Sequence, residues 1–334
     1  MSDSYQILQN YWHAVATSKS LESDILSVKL LEKDYVLWRT PDGSIGASLD
    51  ICSHRQAPLS KGHLEEGCLR CPYHGWLFGD EGQCLEIPSA QKNLPIPPKA
   101  HLEFIQTQEK YGLIWMCPGD PHSPIPEVVA ENDDSFTRIN TEMQIWNVDS
   151  TRMIDNMLDI SHFPYTHRGT FGIEQETVVP KINLEQLDET FFGYGYEVKI
   201  NNVGATKVMS GGGDDVLKLF MTTGFALPFS ILSTMSYETG VEQKLFMTAA
   251  PIQEGKSAYT FVLWRNDDLN ALVAPNRTIA DEVLELELAV VLEDQMMLEK
   301  LKGRLPLEHG ALVDVQADKP SLEWRRRYKE LTSS

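Results

Sequence analysis

The chain has 334 residues, 42% hydrophobic and 23% charged, which is length enough for two domains and apolar content enough for sizeable cores. Its 29 Lys and Arg against 48 Asp and Glu leave a formal net charge of −19, which argues against nucleic acid or an anionic membrane as the main partner. No apolar run approaches the ~18 residues of a membrane span, and the opening Met-Ser-Asp-Ser-Tyr lacks the basic-then-apolar pattern of a secretion signal. Five cysteines (Cys52, Cys68, Cys71, Cys84, Cys117), an odd number without such a signal, fit a reducing compartment, and a cytoplasmic location is expected.

In chain order, residues 22–120 alternate short β-prone runs (25–31, 35–38, 112–116) with Gly- and Pro-bearing turns, the pattern of an all-β domain. The Pro-rich residues 94–98 read as an extended connection. A second Pro-rich stretch, 118–126, followed by the acidic Glu131-Asn-Asp-Asp134, marks the expected junction, giving domains 1–135 and 136–334. Beyond it, residues 149–162 predict a helix ended by Pro164. Residues 191–200, 217–222, 244–250 and 259–264 predict strands of a second, antiparallel sheet. A long helix is predicted from about 278 to 302, capped by Asn276 or Thr278 and stopped by Gly303. The fold class is therefore α+β, an all-β domain followed by a sheet covered by helices.

The strongest motif is Cys52-Ser-His54 followed, after residues 55–70, by Cys71-Pro-Tyr-His74-Gly-Trp. Two thiolates and two neutral imidazoles on two loops can share one [2Fe–2S] cluster, the Rieske ligand set, whose potential lies at roughly −150 to +300 mV against about −400 mV for plant-type ferredoxins. The competing reading is a structural zinc site that recruits Cys68-Leu-Arg-Cys71 with His54 and His74. It explains the ligands but not the order Cys-x-His, Cys-x-x-His-Gly-Trp. Cys84 and Cys117 have no paired spacing and read as small buried residues. His63, His101, His122 and His309 carry no motif. Between Cys52 and Trp76, Arg55, Lys61 and Arg70 outnumber Glu65 and Glu66; this patch could orient an acidic electron donor, scattered solvated charge being the plainer alternative.

The second motif is Asp155-Asn-Met-Leu-Asp159-Ile-Ser-His162-Phe-Pro-Tyr-Thr-His167. Asp159 and His162, three apart, would share one helix face, and Pro164 would turn the chain so that His167 meets the same metal. Asp159 thereby suits a partner that hydrogen-bonds a ligating imidazole. Two histidines and a carboxylate on one face of an octahedron are the ligand set of O₂-activating Fe(II) enzymes. The carboxylate is sought on the late helix, where Ile279, Val283, Leu286, Val290, Met297 and Leu301 step by three or four and Asp294 fills the one gap. A carboxylate on a core-facing stripe is costly unless a cation holds it. Glu293, one step round, is the competing ligand.

On these residues the chain resembles the α subunit of Rieske non-haem iron oxygenases over nearly its whole length. The size, the opening Asn10-Tyr-Trp-His-Ala-Val-Ala16 and the C-terminal Asp318…Trp324-Arg-Arg are similar to the α-only vanillate O-demethylase and dicamba monooxygenase group. A looser similarity runs to cyanobacterial-type alkaloid hydroxylases. That family's Asn-x-x-Asp-x-x-His-x₄-His is met by Asn156, Asp159, His162 and His167, and its cluster ligands by Cys52, His54, Cys71 and His74. The usual Cys-Pro-His is here Cys-Ser-His, which changes loop stiffness but no ligand.

The resemblance implies a [2Fe–2S] cluster, Fe(II), and O₂ as co-substrate, used to hydroxylate or oxidatively demethylate a small organic molecule. It also implies a homotrimer in which one subunit's cluster serves its neighbour's iron, with Asp159 joining His162 to His74 of that neighbour. No Gly-x-Gly-x-x-Gly opens a helix, so no flavin or NAD(P)H is expected on this chain, and electrons are expected from a ferredoxin and/or a flavin reductase. Two alternatives stay open: a cis-dihydroxylating ring dioxygenase, and an electron carrier without catalysis, which would leave Asp159, His162, His167 and Asp294 without a role.

Overall fold

Short β-prone runs cut by turns cannot build one long sheet, and the first unit of the chain consists of small ones. A computed structural model describes residues 3–21, 25–91, 94–308 and 310–333; His309 lies outside them. The chain divides into Met1–Ile125 with Ala250–Gln253, and Pro126–Ala249 with Glu254–Ser334. The division falls inside the second Pro-rich stretch, ahead of the acidic run that follows it.

The first unit opens with helix α1 (Asp3–Leu8) and holds three antiparallel sheets. One is the meander Ile25–Leu30, Lys33–Arg39 and Ile45–Leu49. Its first turn places Leu31 and Glu32 at positive φ, as a two-residue hairpin requires. In the second, Leu113–Cys117 lies between His13–Thr17 and Gln106–Lys110. The third runs His63–Glu65, Cys68–Arg70, Leu77–Phe78 and Cys84–Glu86 in sequence order. Val36, Trp38, Leu59, Leu69 and Phe78 form the core around Cys52 and Cys71, each large apolar side chain contributing about 1.5–3 kcal/mol by burial.

The second unit is an eight-stranded antiparallel sheet with helices on one face. Its order is Thr137–Asn140, Lys256–Arg265, Glu242–Gln253, Ser230–Tyr237, Val216–Ala226, Phe192–Asn201 and Glu185–Gln186; Gln144–Trp146 also pairs with Lys256–Arg265. The strand Ser230–Tyr237 has no counterpart among the sequence expectations, because its hydroxyl residues obscure the apolar alternation. Inside the sheet one of them is satisfied by a cross-strand partner, Thr223 Oγ1 and Ser233 Oγ lying 3.1 Å apart.

The predicted helix over 149–162 is shorter than expected. Helix α2 spans Ser150–Leu158, with Asp149 as N-cap accepting from the Thr151 N–H, and Asp159 is already extended. Pro164 does not end a helix. It sits in the first turn of α3 (Phe163–Thr166), where its missing N–H costs nothing. Helix α4 is Ala205–Met209 and α5 is Ile279–Leu298. Thr278 caps α5 through a capping box with Asp281, worth about 1 kcal/mol.

The inner side of α5 carries Val283, Leu286, Glu287, Val291 and Leu298, whereas Met297 and Leu301 are 50% and 42% exposed. The expected stripe thus holds in the first half and fails in the second, where Leu298 turns inward in place of Met297 and the helix ends before Leu301. Helix α6 (Lys319–Thr332) is held by the buried Trp324, whose Nε1 donates to the Pro228 carbonyl, and by Arg325, which pairs with Asp155 of α2 at 2.7 Å. Among the described residues no helix is long and apolar enough to cross a membrane.

Candidate metal centres

The first candidate centre is made by two loops of the first unit. One follows Ile45–Leu49 and carries Cys52 and His54; the other joins Cys68–Arg70 to Leu77–Phe78 and carries Cys71 and His74. The loops close in the same way. The Cys52 N–H donates to the Ala57 carbonyl and the Cys52 carbonyl accepts from Gln56 N–H, both at 2.9 Å. The Cys71 N–H donates to the Trp76 carbonyl at 2.9 Å and the Cys71 carbonyl accepts from Gly75 N–H at 3.1 Å. The matching residues Gln56 and Gly75 are both left-handed, at φ 58° and 69°. Glycine adopts that conformation freely, whereas Gln56 carries a cost of about 1–2 kcal/mol.

Both cysteines are buried, the His54 and His74 ring centroids lie 4.6 Å apart, and His54 stacks on Trp76 at 4.4 Å. Burial and the adjacent Cys71 push the Cys52 thiol up to about 11, so only a cation would keep it a thiolate. The buried Nδ1 of His54 has no hydrogen-bond partner, a cost that coordination removes. Among the described residues the only three Cys, His or carboxylate groups with ligand atoms all within 4.8 Å of one another are His162, His167 and Asp294. Cys52, Cys68, Cys71, His54 and His74 are therefore not gathered on one point as a single zinc ion demands. Two cysteines and two histidines spread over a larger core suit a two-iron cluster. In the basic patch between Cys52 and Trp76, the Arg70 guanidinium is already paired within the chain, bound by Glu65 at 2.5 Å, Glu86 at 2.7 Å and the Gly75 carbonyl at 2.6 Å.

The second candidate centre lies in the second unit. His162 Nε2 and His167 Nε2 are 3.1 Å apart, and Asp294 Oδ1 is 3.5 Å from the first and 3.4 Å from the second. Adjacent ligands of an octahedral ion with bonds of about 2.1 Å stand about 3 Å apart, so this donor set fits one metal on one face. Each imidazole is fixed from behind. Asp159 Oδ2 receives His162 Nδ1 at 2.9 Å and the His162 N–H at 3.1 Å, while its Oδ1 accepts from the Ser161 N–H and hydroxyl. Asp159 and His162 therefore meet through a turn beyond the helix end, and not on a shared helix face as expected.

Glu293 Oε2 receives His167 Nδ1 and the Thr170 hydroxyl, both at 2.9 Å. With each Nδ1 protonated against a carboxylate, each Nε2 presents a lone pair to the centre. Burial pushes the Asp159 carboxyl up, but the hydrogen bonds of His162 and Ser161 outweigh it and hold Asp159 below the usual range. Burial lowers His167, which favours the neutral ring a metal needs. Asn156 Nδ2 donates to Asp294 Oδ1 at 3.2 Å.

The structure thus brings Asp294, not Glu293, to the two Nε2 atoms. The supporting role of Glu293 was not foreseen; its adjacency to Asp294 on the helix was the available signal.

Comparison with known proteins agrees with both centres. Residues 11–105 match the Rieske [2Fe–2S] domain model, and residues 146–334 match that of the vanillate O-demethylase oxygenase C-terminal domain. The chain belongs to the Rieske non-haem iron oxygenases. It is 29% identical to the methylxanthine N1-demethylase of Pseudomonas putida over 99% of this chain and 91% of that protein. It is 34% identical to the dicamba O-demethylase oxygenase component of Stenotrophomonas maltophilia over 54% of this chain and 55% of that one. The solved structure of the P. putida N1-demethylase with caffeine superposes at a TM-score of 0.85 with 25% identity, covering 99% and 93% of the two chains.

As a Rieske oxygenase the protein is an oxidoreductase that uses a [2Fe–2S] cluster, a mononuclear iron and O₂ to hydroxylate or oxidatively demethylate a small substrate. Enzymes of this type take their electrons from an external reductase or ferredoxin.

In this Rieske oxygenase the second centre opens on a cavity of about 110 Å³. Alternate residues of the sheet wall it: Val198 and Ile200, Leu219 and Met221, Ser233, Met235 and Tyr237, Leu245 and Met247, and Tyr259. Met157, Met209 and, from α5, Glu287, Val290 and Val291 complete it. Five methionines make an apolar wall that can reshape around a ligand.

Proposed function

We propose that His162, His167 and Asp294 hold the mononuclear iron and that Cys52, His54, Cys71 and His74 hold the cluster. The enzyme is read as a monooxygenase that removes an N- or O-methyl group from a small organic substrate. The observation that carries this reading is the convergence of two Nε2 atoms and one carboxylate oxygen within 3.1–3.5 Å at the end of an apolar cavity. Once bound, the cluster supplies electrons singly and the iron activates O₂. The chain's own residues do the rest. Asp159 and Glu293 hold the Nδ1 protons, Asn156 orients Asp294, Phe171 stacks on His167 at 4.9 Å, and the methionine wall excludes water. The names of the two relatives, an N- and an O-demethylase, favour demethylation.

Electrons come in this reading from a ferredoxin and a flavin reductase, and the working assembly is a homotrimer. The exposed Leu288, Leu292 and Met296 on the outer side of α5 supply an apolar surface for another copy. A cytoplasmic site of action is supported by the five unpaired cysteines.

Anaerobically purified protein supplied with a ferredoxin and its reductase is expected to consume O₂ and release formaldehyde from N-methyl or O-methyl substrates. His162→Ala should abolish both while the cluster absorbance persists. Zinc in place of acid-labile sulfide, or a product carrying both atoms of labelled O₂ as a cis-diol, would overturn the reading.

A further inference from the structure

Three carboxylates line the cavity, Asp159, Asp294 and Glu287, and only Glu287 has no part in holding the metal centre. It stands on α5 two turns before Asp294, about 10 Å along the helix axis, and is 4% exposed among methionine, leucine and valine side chains. One of its oxygens is occupied: the Gln243 amide donates to Oε1 at 2.6 Å. That amide cannot turn over, because the Gln243 carbonyl accepts from Arg265 Nη1 at 2.7 Å. Arg265, fully buried, is fixed in turn by Asp267 at 3.0 and 2.6 Å and by the Met209 carbonyl at 2.9 Å. The second oxygen of Glu287 takes no hydrogen bond from any described residue. A buried polar chain, Asp267–Arg265–Gln243–Glu287, therefore ends in a half-satisfied carboxylate on the wall of an apolar cavity. Such a group lowers stability relative to a methionine there and adds nothing to metal binding, so its benefit lies in a ligand.

Resting on the iron-centre reading above, we propose that Glu287 is the substrate-recognition residue of this cavity. Its free oxygen accepts from a nitrogen-centred donor of the substrate, an ammonium or an N–H, while the carbon to be oxidised lies at the His162/His167/Asp294 end. The preferred substrate class is then a small N-methylated amine or N–H-bearing heterocycle, in keeping with the net charge of −19, which attracts cations. The roughly two-turn separation of Glu287 from Asp294 limits the molecule to about the length of one or two fused rings.

The test is anaerobic titration calorimetry of the iron-loaded enzyme, metal content measured first, with matched probes that differ only in the donor. N-methylbenzylamine is compared with benzyl methyl ether, and N-methyl benzylic and heteroaromatic amines with their ether or thioether isosteres. The amines are expected to bind at least ~10-fold tighter than their isosteres, the worth of one hydrogen bond to a charged group. Glu287→Gln and Glu287→Met should both erase that preference and leave the ether affinities within about twofold, the Met variant guarding against a fold effect in the first. Equal affinities in the wild type, no binding by any amine at millimolar concentration, or an unchanged preference in both variants would each overturn the proposal. Failure of the oxygenase reading would show separately, as absent iron before any probe is added.

Discussion

The two centres use the same residue types in opposite ways. In the first unit the histidines lie in loops closed by their own backbone, and His54 keeps a buried, unpaired Nδ1 while its ring rests on Trp76. In the second unit both histidines have Nδ1 tied to a carboxylate, Asp159 or Glu293, and turn Nε2 inward. The nitrogen left free identifies which one is offered to metal, and the partner on the other nitrogen decides how firmly the ring is held. The first centre is thus built by loop geometry and stacking, and the second by charged partners, Asp159 from the adjoining turn and Glu293 from the distant helix α5.

The most severe way to separate the two is to delete one at a time. His167→Ala should remove the iron and bring turnover to background, while the reduced-state EPR signal of the cluster stays. Cys71→Ser should do the reverse, abolishing the cluster signal and leaving iron measurable at the other centre. Loss of both metals in either variant would show that the centres are not independently built.

Asp159→Asn keeps the size and removes the charge. If Asp159 joins His162 to His74 of a neighbouring copy, both metals should remain loaded while oxidation of the reduced cluster in a single turnover slows by roughly 100-fold. A normal rate in the iron-replete variant would take Asp159 out of the electron path. Lost iron instead would mean that it serves only to hold the His162 ring.

A smaller effect is expected behind the other imidazole. Glu293→Gln should weaken iron binding by about 10-fold, because His167 loses its charged partner but keeps its position. Asp294→Asn, which removes a proposed ligand, should weaken it by more. The opposite ranking would exchange the roles of the two neighbours.

The mildest test addresses the paired loops of the first unit. Gly75→Ala should cost about 1–2 kcal/mol, since the residue is left-handed and a Cβ there meets Pro88 Cγ at 3.3 Å. Gln56→Gly should cost nothing, because it relieves at the matching position the strain that alanine introduces at Gly75. Thermal unfolding followed in the near-ultraviolet would show it.

How much of this was legible beforehand follows the same division. Cys52, His54, Cys71 and His74 declare themselves by spacing, because each pair belongs to one short loop whose closure is local. The strands of the second sheet were found where apolar alternation was clean, and Ser230–Tyr237 escaped where hydroxyl residues interrupted it. Asp294 was singled out from a stripe whose later members, Met297 and Leu301, prove exposed, so the periodicity that led to the residue standing at the two Nε2 atoms holds over only half of its length. Asp159 was paired with His162 on the wrong grounds: the bond runs through a turn, since Pro164 opens α3 instead of ending α2.

The sequence by itself determined the local features: the two Cys/His loops, the His162 and His167 pair, and Thr278 as one of two candidate N-caps of α5, whereas the expected stop at Gly303 lies beyond the observed end at Leu298. Each depends on interactions among residues a few positions apart. Only the tertiary structure decided that Asp294 reaches the two Nε2 atoms while Glu293 goes to the Nδ1 of His167, and that Arg265 and Gln243 reach across the sheet to hold Glu287 on the cavity wall. Those choices turn on the rotation of one helix against one sheet, which is set by the summed packing of many side chains and leaves no short pattern in the chain.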